Sequence, residues 1–262
     1  MEKPTLARIR IYPIKSLDGV DVESASVLAS GALKRDREFA IIDKDDVFVN
    51  GKNRPAVHRL RARYDETLER VTLSYSRDGI NVQRSFYLST QFDLLEEWLG
   101  RYFGFPVRMR QNWAGGLPDD TDAPGPTIVS TATLETVASW FPACSLESVR
   151  RRFRANLEIG GVPAFWEERL YGKQGSSVPF RIGGVTFEGT NPCQRCAVPT
   201  RDADTGEVIP AFQKVFMQRR KETLPAWAEA SRFNHFYRLA VNTRLGSAED
   251  NALLRVGDPV FT

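Results

Sequence analysis

The sequence predicts a β-rich α+β fold with barrel character, and three observations predict it. Many short runs of β-branched and aromatic residues end in turn residues. Helical spacing is confined to a few segments, without the regular strand–helix alternation that a parallel doubly wound sheet needs. The chain also lacks internal repeats and low-complexity stretches, so these elements belong to packed globular structure.

RIRIYPIK alternates apolar and polar residues, with Ile9 and Ile11 on one side, and predicts the first strand. REFAIID, RVTLSYS and SFYLST predict three more, bounded by KDD, DETLE and RDG. TQFDLLEEWLGRYFG predicts a helix, with Phe92, Leu95, Trp98, Leu99 and Tyr102 at helical spacing. Thr90 is its expected cap, with Asp93 three residues on, and Gly104 its stop. QNWAGGLPDDTDAPGP, residues 111–126, predicts a long loop or linker and divides the chain into expected regions 1–112 and 113–262. PTIVS then reads as a strand, STATLETVASWF as a helix, and RRFRANLEIGG as another strand. PFRIGGVTFEG predicts two strands around Gly183 and Gly184, PAFQKVFMQRRKE a helix, and FYRLAVNT and LLRVGDPVF the closing strands.

A chain of 262 residues can bury a core, and 42% hydrophobic with 26% charged residues is ordinary soluble composition. No apolar run is long enough to span a membrane, and MEKPTLARIRIYPIK has no apolar signal region, so a cytoplasmic address is expected. The net charge of +3, from 36 basic and 33 acidic residues, does not point to nucleic acid. One basic cluster exists, Arg150, Arg151, Arg152 and Arg154 in SVRRRFRANL, but Phe153 is the sole aromatic within it. It reads as a solvated face or as an anion site. On a strand, Arg152 and Arg154 would share one face and Arg151 would take the other, leaving Arg154 as the expected ligand and Arg150 and Arg151 in solvent.

Phosphate cradles of the G-x-G-x-x-G and G-x-x-x-x-G-K-[ST] kinds are absent from the sequence. With two histidines, His58 and His235, and no G-x-S-x-G elbow, zinc proteases and Ser-His-Asp hydrolases have no local support. The cysteines are three, Cys144, Cys193 and Cys196, too few and too scattered for a disulfide framework. Two of them fall together in NPCQRCAVPTRDADTG. A thioredoxin-like dithiol would precede a helix, yet Pro199 and a turn follow. A structural zinc site would need further ligands at usable spacings. Buried inert thiols remain open as a reading. Against them stands Arg195, a cation next to Cys196 that favours a thiolate, and a thiolate without a zinc partner set suits a soft metal brought in with a cofactor.

NPCQRCAVPTRDADTG resembles the signature of the MOSC domain, found in molybdenum cofactor sulfurases, mitochondrial amidoxime-reducing components and bacterial relatives. Further segments resemble the family in order: IYPIKSLDGV, KRDREFAIID, DDTDAPGPTIVSTATL, RRFRANLEIGG, FWEERL and VGDPVF. VFVNGKNRP departs from the T-[AQ]-R-like segment of relatives, and the sequence ends at Thr262 without the ferredoxin-like domain of some bacterial members.

The resemblance implies a MOSC-type β-barrel core, an N-terminal β-barrel-like region, a few peripheral helices and a bound molybdenum cofactor, a pyranopterin dithiolene ending in phosphate. It implies Cys196 as the molybdenum ligand and catalytic cysteine, and Cys193 then reads as a small residue that fixes the loop. Lys15, Ser16 and Arg37 would meet the cofactor, Arg154 and Asn156 would contact it, and Arg195 and Asp122 are carried over beside them. The implied reaction is two-electron reduction of a small N-hydroxylated compound, with electrons from a separate ferredoxin-like protein or flavoprotein. The alternative is a carrier of the cofactor or its sulfur for other molybdoenzymes. Nucleic acid and membrane are not expected partners.

Overall fold

The computed structural model describes residues 3–247 and 252–262. The chain begins with β1 (Thr5–Ile11), β2 (Val20–Val22), β3 (Ser24–Ser26), β4 (Phe39–Asp43) and the short helix α1 (Ala56–Arg59). A meander of β5 (Arg61–Tyr64), β6 (Arg70–Arg77) and β7 (Ile80–Tyr87) leads to α2 (Phe92–Phe103) and β8 (Val107–Gln111). After a long loop come β9 (Ile128–Ser130), α3 (Thr131–Ser139), α4 (Leu146–Phe153) and β10 (Leu157–Gly160). The last part holds β11 (Val178–Ile182), β12 (Val185–Gln194), α5 (Phe212–Glu222), β13 (Arg238–Ser247), β14 (Leu253–Arg255) and β15 (Val260–Phe261).

The main sheet has eight strands in the order β15-β11-β12-β13-β9-β10-β1-β2. β9 and β10 are its parallel pair, and α3 and α4 form the crossover that a parallel pair requires. An isolated bridge between Thr5 and Pro259 brings the two ends together, yet the sheet is not a closed barrel, which corrects the expectation. The reason is local: β2 pairs with Ile9 to Ile11 of β1, which leaves the start of β1 alone to meet the two-residue β15. Smaller ladders, β4–β8, β5–β6–β7 and β14–β3, flank it.

The α2 helix buries Leu95, Trp98 and Leu99 against Phe39, Val71 and Phe86, as its spacing predicts. Gly104 ends it in the left-handed region, donating its N–H to Gly100 at 2.8 Å. Its start differs from expectation: the cap position is Gln91, not Thr90, and the Gln91 side chain accepts the Tyr87 N–H at 2.9 Å instead of capping the helix. A larger correction falls at the start of RRFRANLEIGG: residues 151–153, read as strand, are the last turn of α4, and the strand itself begins at Leu157. Ser145 caps α4 by accepting the Ser148 N–H at 3.1 Å, and Val149 and Phe153, four residues apart, pack inward. No helix among the described residues is long and apolar enough to cross a membrane.

Under the sheet, the FWEERL segment buries Glu167 and Glu168 beside the fully buried Arg220 of α5. Arg220 pairs with Glu168 and lies over the Phe165 ring, while Glu167 accepts from Ser130 N–H and the Thr133 hydroxyl. Two acids face one cation, so one carboxyl is left unmatched. Burial pushes both upward, Glu168 to about 7 against the pull of Arg220 and with Glu167 adding to the rise. Such an acid takes up a proton on folding, so its contribution is complete below its ordinary value of 4.5 and is lost as pH rises through about 7. Urea melts are therefore expected to show stability falling across that window, and Glu168→Gln to flatten the slope. An unchanged slope in the variant would refute the assignment.

Candidate functional site

A cleft of about 700 Å3 opens where the 12–19 segment, the loop before β9, the end of α4 and the end of β12 meet. That volume suits a cofactor-sized ligand. Lys15, Ser16, Arg37, Arg154, Asn156, Arg195 and Cys196 all line it. Asp122 does not: it is exposed and outside the cleft, while Asp119 and Asp120, earlier in the same DDTD run, face it. Asp122 gives its N–H to Asp120 at 3.1 Å, and Asp120 accepts from Asn242 Nδ2 at 2.9 Å. Asp119 and Asp120 thus border the cleft, Asp119 with its side chain largely exposed, while Asp122 stays outside it.

β12 sets the cysteines. Its pairing with β13 runs to Gln194 opposite Arg238, and Arg195 N–H then donates to Tyr237 at 3.1 Å. Cys196 emerges exposed, its sulfur receiving the Val198 N–H at 3.5 Å. The expectation that Arg195 serves the neighbouring Cys196 needs correction. Its guanidinium reaches Cys193 Sγ at 3.0 Å and the Phe153 carbonyl, and lies over the Phe153 ring. Cys144 is buried among Val129, Leu134 and Val149, away from the cleft.

The D-A-D-T-G turn after Cys196 is a clasp. Asp202 Oδ1 accepts the N–H groups of Asp204 and Thr205 at 3.0 Å, and Asp202 Oδ2 meets Arg152 at 3.2 Å. Burial opposes its charge, but these amides and Arg152 outweigh it and hold the carboxyl below its usual range. Asp204 pairs with Arg61 at 3.2 Å and Arg151 at 2.9 Å, linking the turn to β5 and α4. Gly206 has a φ of 76°, and a Cβ there would sit 2.7 Å from the Pro55 carbonyl, so the turn needs glycine. The arginine run is therefore not solvated: Arg150 holds Glu158 at 2.6 Å, Arg151 holds Asp204, and the buried Arg152 bonds the carbonyls of Pro199 and Arg201. Because α4 is a helix, successive arginines fan to different partners instead of alternating between two faces.

The cations deeper in the cleft divide by partner. Lys15 donates to the Leu117 carbonyl at 2.8 Å and pairs with Asp119 at 2.6 Å. Burial works against the charge of Asp119, yet Lys15 and the nearby arginines hold it below the usual range. Arg37 pairs with Asp36 and bonds Asn156 Oδ1 at 3.1 Å. Asn156 is buried, also accepts from Thr127, and gives its amide to the Arg10 carbonyl, so it holds β1 and Arg37 in place. Arg154 is different. Among the described residues its guanidinium has no hydrogen-bond or ion-pair partner and rests over the Tyr12 ring, 4.1 Å from the centroid. Burial, with the charge of Arg37 adding to it, holds Arg154 below the ordinary arginine value.

Ser16, Arg37 and Arg154 share one more property: φ values of 73°, 50° and 53°. Left-handed backbone costs a non-glycine residue about 1–2 kcal/mol, and three of the ten such residues among those described line this cleft.

The family model for the MOSC N-terminal beta barrel domain matches residues 3–99, and that for the MOSC domain matches residues 127–261. The chain belongs to the MOSC family. A molybdenum cofactor sulfurase of Drosophila mojavensis is 28% identical over 235 residues, 79% of this chain and 29% of that protein. One from Caenorhabditis briggsae is 25% identical over 252 residues, 88% of this chain and 34% of its own length. This MOSC chain therefore spans about a third or less of the sulfurases it matches. It spans 82% of mitochondrial amidoxime reducing component 2 of Bos taurus, at 25% identity over 98% of its own length. The cleft lies between the two matched MOSC segments, with Lys15, Ser16 and Arg37 from the first and Arg154, Asn156 and Cys196 from the second.

Sequence reasoning missed Tyr12, Asp119, Asp120 and the Arg61–Asp204 link. The signal for Tyr12 was its place beside PIKS, hidden by reading RIRIYPIK as uninterrupted strand.

Proposed function

We propose that the chain binds a molybdenum–pyranopterin cofactor in this cleft and reduces small N-hydroxylated compounds with electrons from a separate redox protein. The observation that carries the reading is an open thiol, Cys196, and an unpartnered guanidinium, Arg154, lining one cleft of cofactor size. Among the described residues no three His, Cys, Asp or Glu side chains converge to hold a metal. A metal at Cys196 would then take most of its ligands from a cofactor, and a soft thiolate suits molybdenum. Among the relatives' names, molybdenum cofactor sulfurase supports the cofactor and amidoxime reducing component supports the reduction.

When bound, the cofactor supplies the two-electron, oxygen-accepting chemistry. The chain's own residues do the rest. Cys196 offers one sulfur ligand, while Arg154, Arg37, Lys15 and Ser16 receive the anionic end. Asn156 and Asp36 orient Arg37, and the Asp202–Asp204 clasp holds the Cys196 loop against α4 and β5.

The test is protein made in a host competent for molybdenum cofactor synthesis. It is expected to contain molybdenum and pterin in equal amounts and to reduce hydroxylamine-type compounds with an artificial electron donor. Turnover that survives removal of molybdenum would overturn the reading. The exposure of Cys196 also favours a carrier of the cofactor or its sulfur. Rapid transfer of the cofactor to an apo-molybdoenzyme, without turnover of the chain's own, would establish that role instead.

A further inference from the structure

We infer that Tyr12 is a positioning residue, which keeps the Arg154 guanidinium free for an anionic ligand by offering it an aromatic face; this rests on the reading that Arg154 receives the anionic end. Tyr12 is 1% exposed and stands at the centre of the cleft's cations. Arg154 lies 4.1 Å and Arg37 5.0 Å from its ring centroid. Its backbone serves the same group. The Tyr12 N–H donates to Asp36 Oδ1 at 2.9 Å, and its carbonyl accepts the Arg37 N–H at 2.8 Å.

The arrangement solves a problem specific to a cationic cleft. Carboxylates at Asp18, Asp36 and Asp119 lie near enough to feel the charge of Arg154 or to have their own charge favoured by it. A flexible arginine would fold onto one of them, as Lys15 pairs with Asp119 and Arg37 with Asp36. The negative face of a buried ring attracts a guanidinium without using its N–H groups, which stay available as donors. Arg154 reaches that ring from a left-handed backbone, φ 53°. Gly19 completes the seat: a Cβ there would come within 2.6 Å of Tyr12 Cε1 and 2.7 Å of Cδ1.

The experiment titrates inorganic phosphate into the full chain freed of cofactor, by calorimetry, with thermal melts to verify folding. Wild type and Tyr12→Phe, which keeps the ring, are expected to bind alike. Tyr12→Leu is expected to bind about tenfold more weakly, because the ring–cation contact is lost. Gly19→Ala keeps the tyrosine but displaces its ring, and is expected to weaken binding in the same direction, so the inference stands or falls even if Tyr12→Leu does not fold. Arg154→Met should weaken binding roughly 10- to 150-fold, as loss of charge-assisted hydrogen bonds requires. If Arg154→Met weakens it so while Tyr12→Leu and Gly19→Ala bind like wild type, the role of Tyr12 is overturned and the anion site stands. If wild type binds no phosphate, the anion site itself is overturned, and Tyr12 with it.

Discussion

Cys196→Ser protein, made in a molybdenum-competent host, is expected to lose reductase activity and most of its metal. The sulfur lines the cleft, is exposed, and among the described residues takes one long hydrogen bond, from the Val198 N–H at 3.5 Å. No neighbouring side chain among the described residues forms a cluster able to replace it as a metal ligand. Groups that merely support a metal's ligands cost about 10- to 100-fold when removed, so loss of the ligand itself should exceed roughly 100-fold in turnover. Serine is nearly isosteric, so fold stability should not move. The control is Cys193→Ser. Cys193 sits in the same cleft but is engaged by Arg195 at 3.0 Å, and a serine hydroxyl can accept that bond. Weakening one such bond is worth about a fivefold effect or less. Steady-state rates and metal content of the two variants decide the matter: equal losses would mean that the loop, and not the sulfur of Cys196, is what matters.

The contrast between these cysteines shows where the sequence was legible. A C-x-R-C element in a chain with three cysteines is unusual by composition alone, so its importance needed no coordinates. Which cysteine the arginine serves did need them. β12 ends at Gln194, and just past it the Arg195 guanidinium turns back to Cys193 while Cys196 is left exposed. The same logic separates Asp120 from Asp122, since a Gly- and Pro-rich loop has no periodicity from which to read a facing. Strands and helices with strong patterns, such as β6 and α2, were readable because one face is buried. The arginine run was misread because its charge masked the apolar pair Val149 and Phe153, and because the cap at Ser145 lies upstream of the segment taken as strand. Barrel closure was illegible for another reason: it depends on how much of one edge of β1 is left beside β2 for the chain's last strand, a pairing between segments far apart in sequence.

Arg154 is where fold and function pull apart, and two substitutions there can measure it. It follows α4 as the C-terminal cap, with φ 53° and ψ 41° and its N–H bonded to Arg150 at 2.9 Å. Glycine is the residue that position favours. Arg154→Ala and Arg154→Gly both remove the guanidinium, its contact with Tyr12 and its repulsion with Arg37, so these effects cancel between the two. Only the backbone differs. Arg154→Gly is therefore expected to be more stable than Arg154→Ala by about 1 kcal/mol in urea melts. Retention of the cofactor should show no such difference. Each variant loses charge-assisted hydrogen bonds worth about 1.5–3 kcal/mol, so each should release the anionic ligand roughly 10- to 150-fold more readily. A cap chosen for the fold would give the opposite pattern, with binding restored as stability is restored. If the two variants retain cofactor as wild type does, the strained backbone at Arg154 has no ligand to justify it, and the cleft's anionic end must be sought at Arg37 and Lys15 alone.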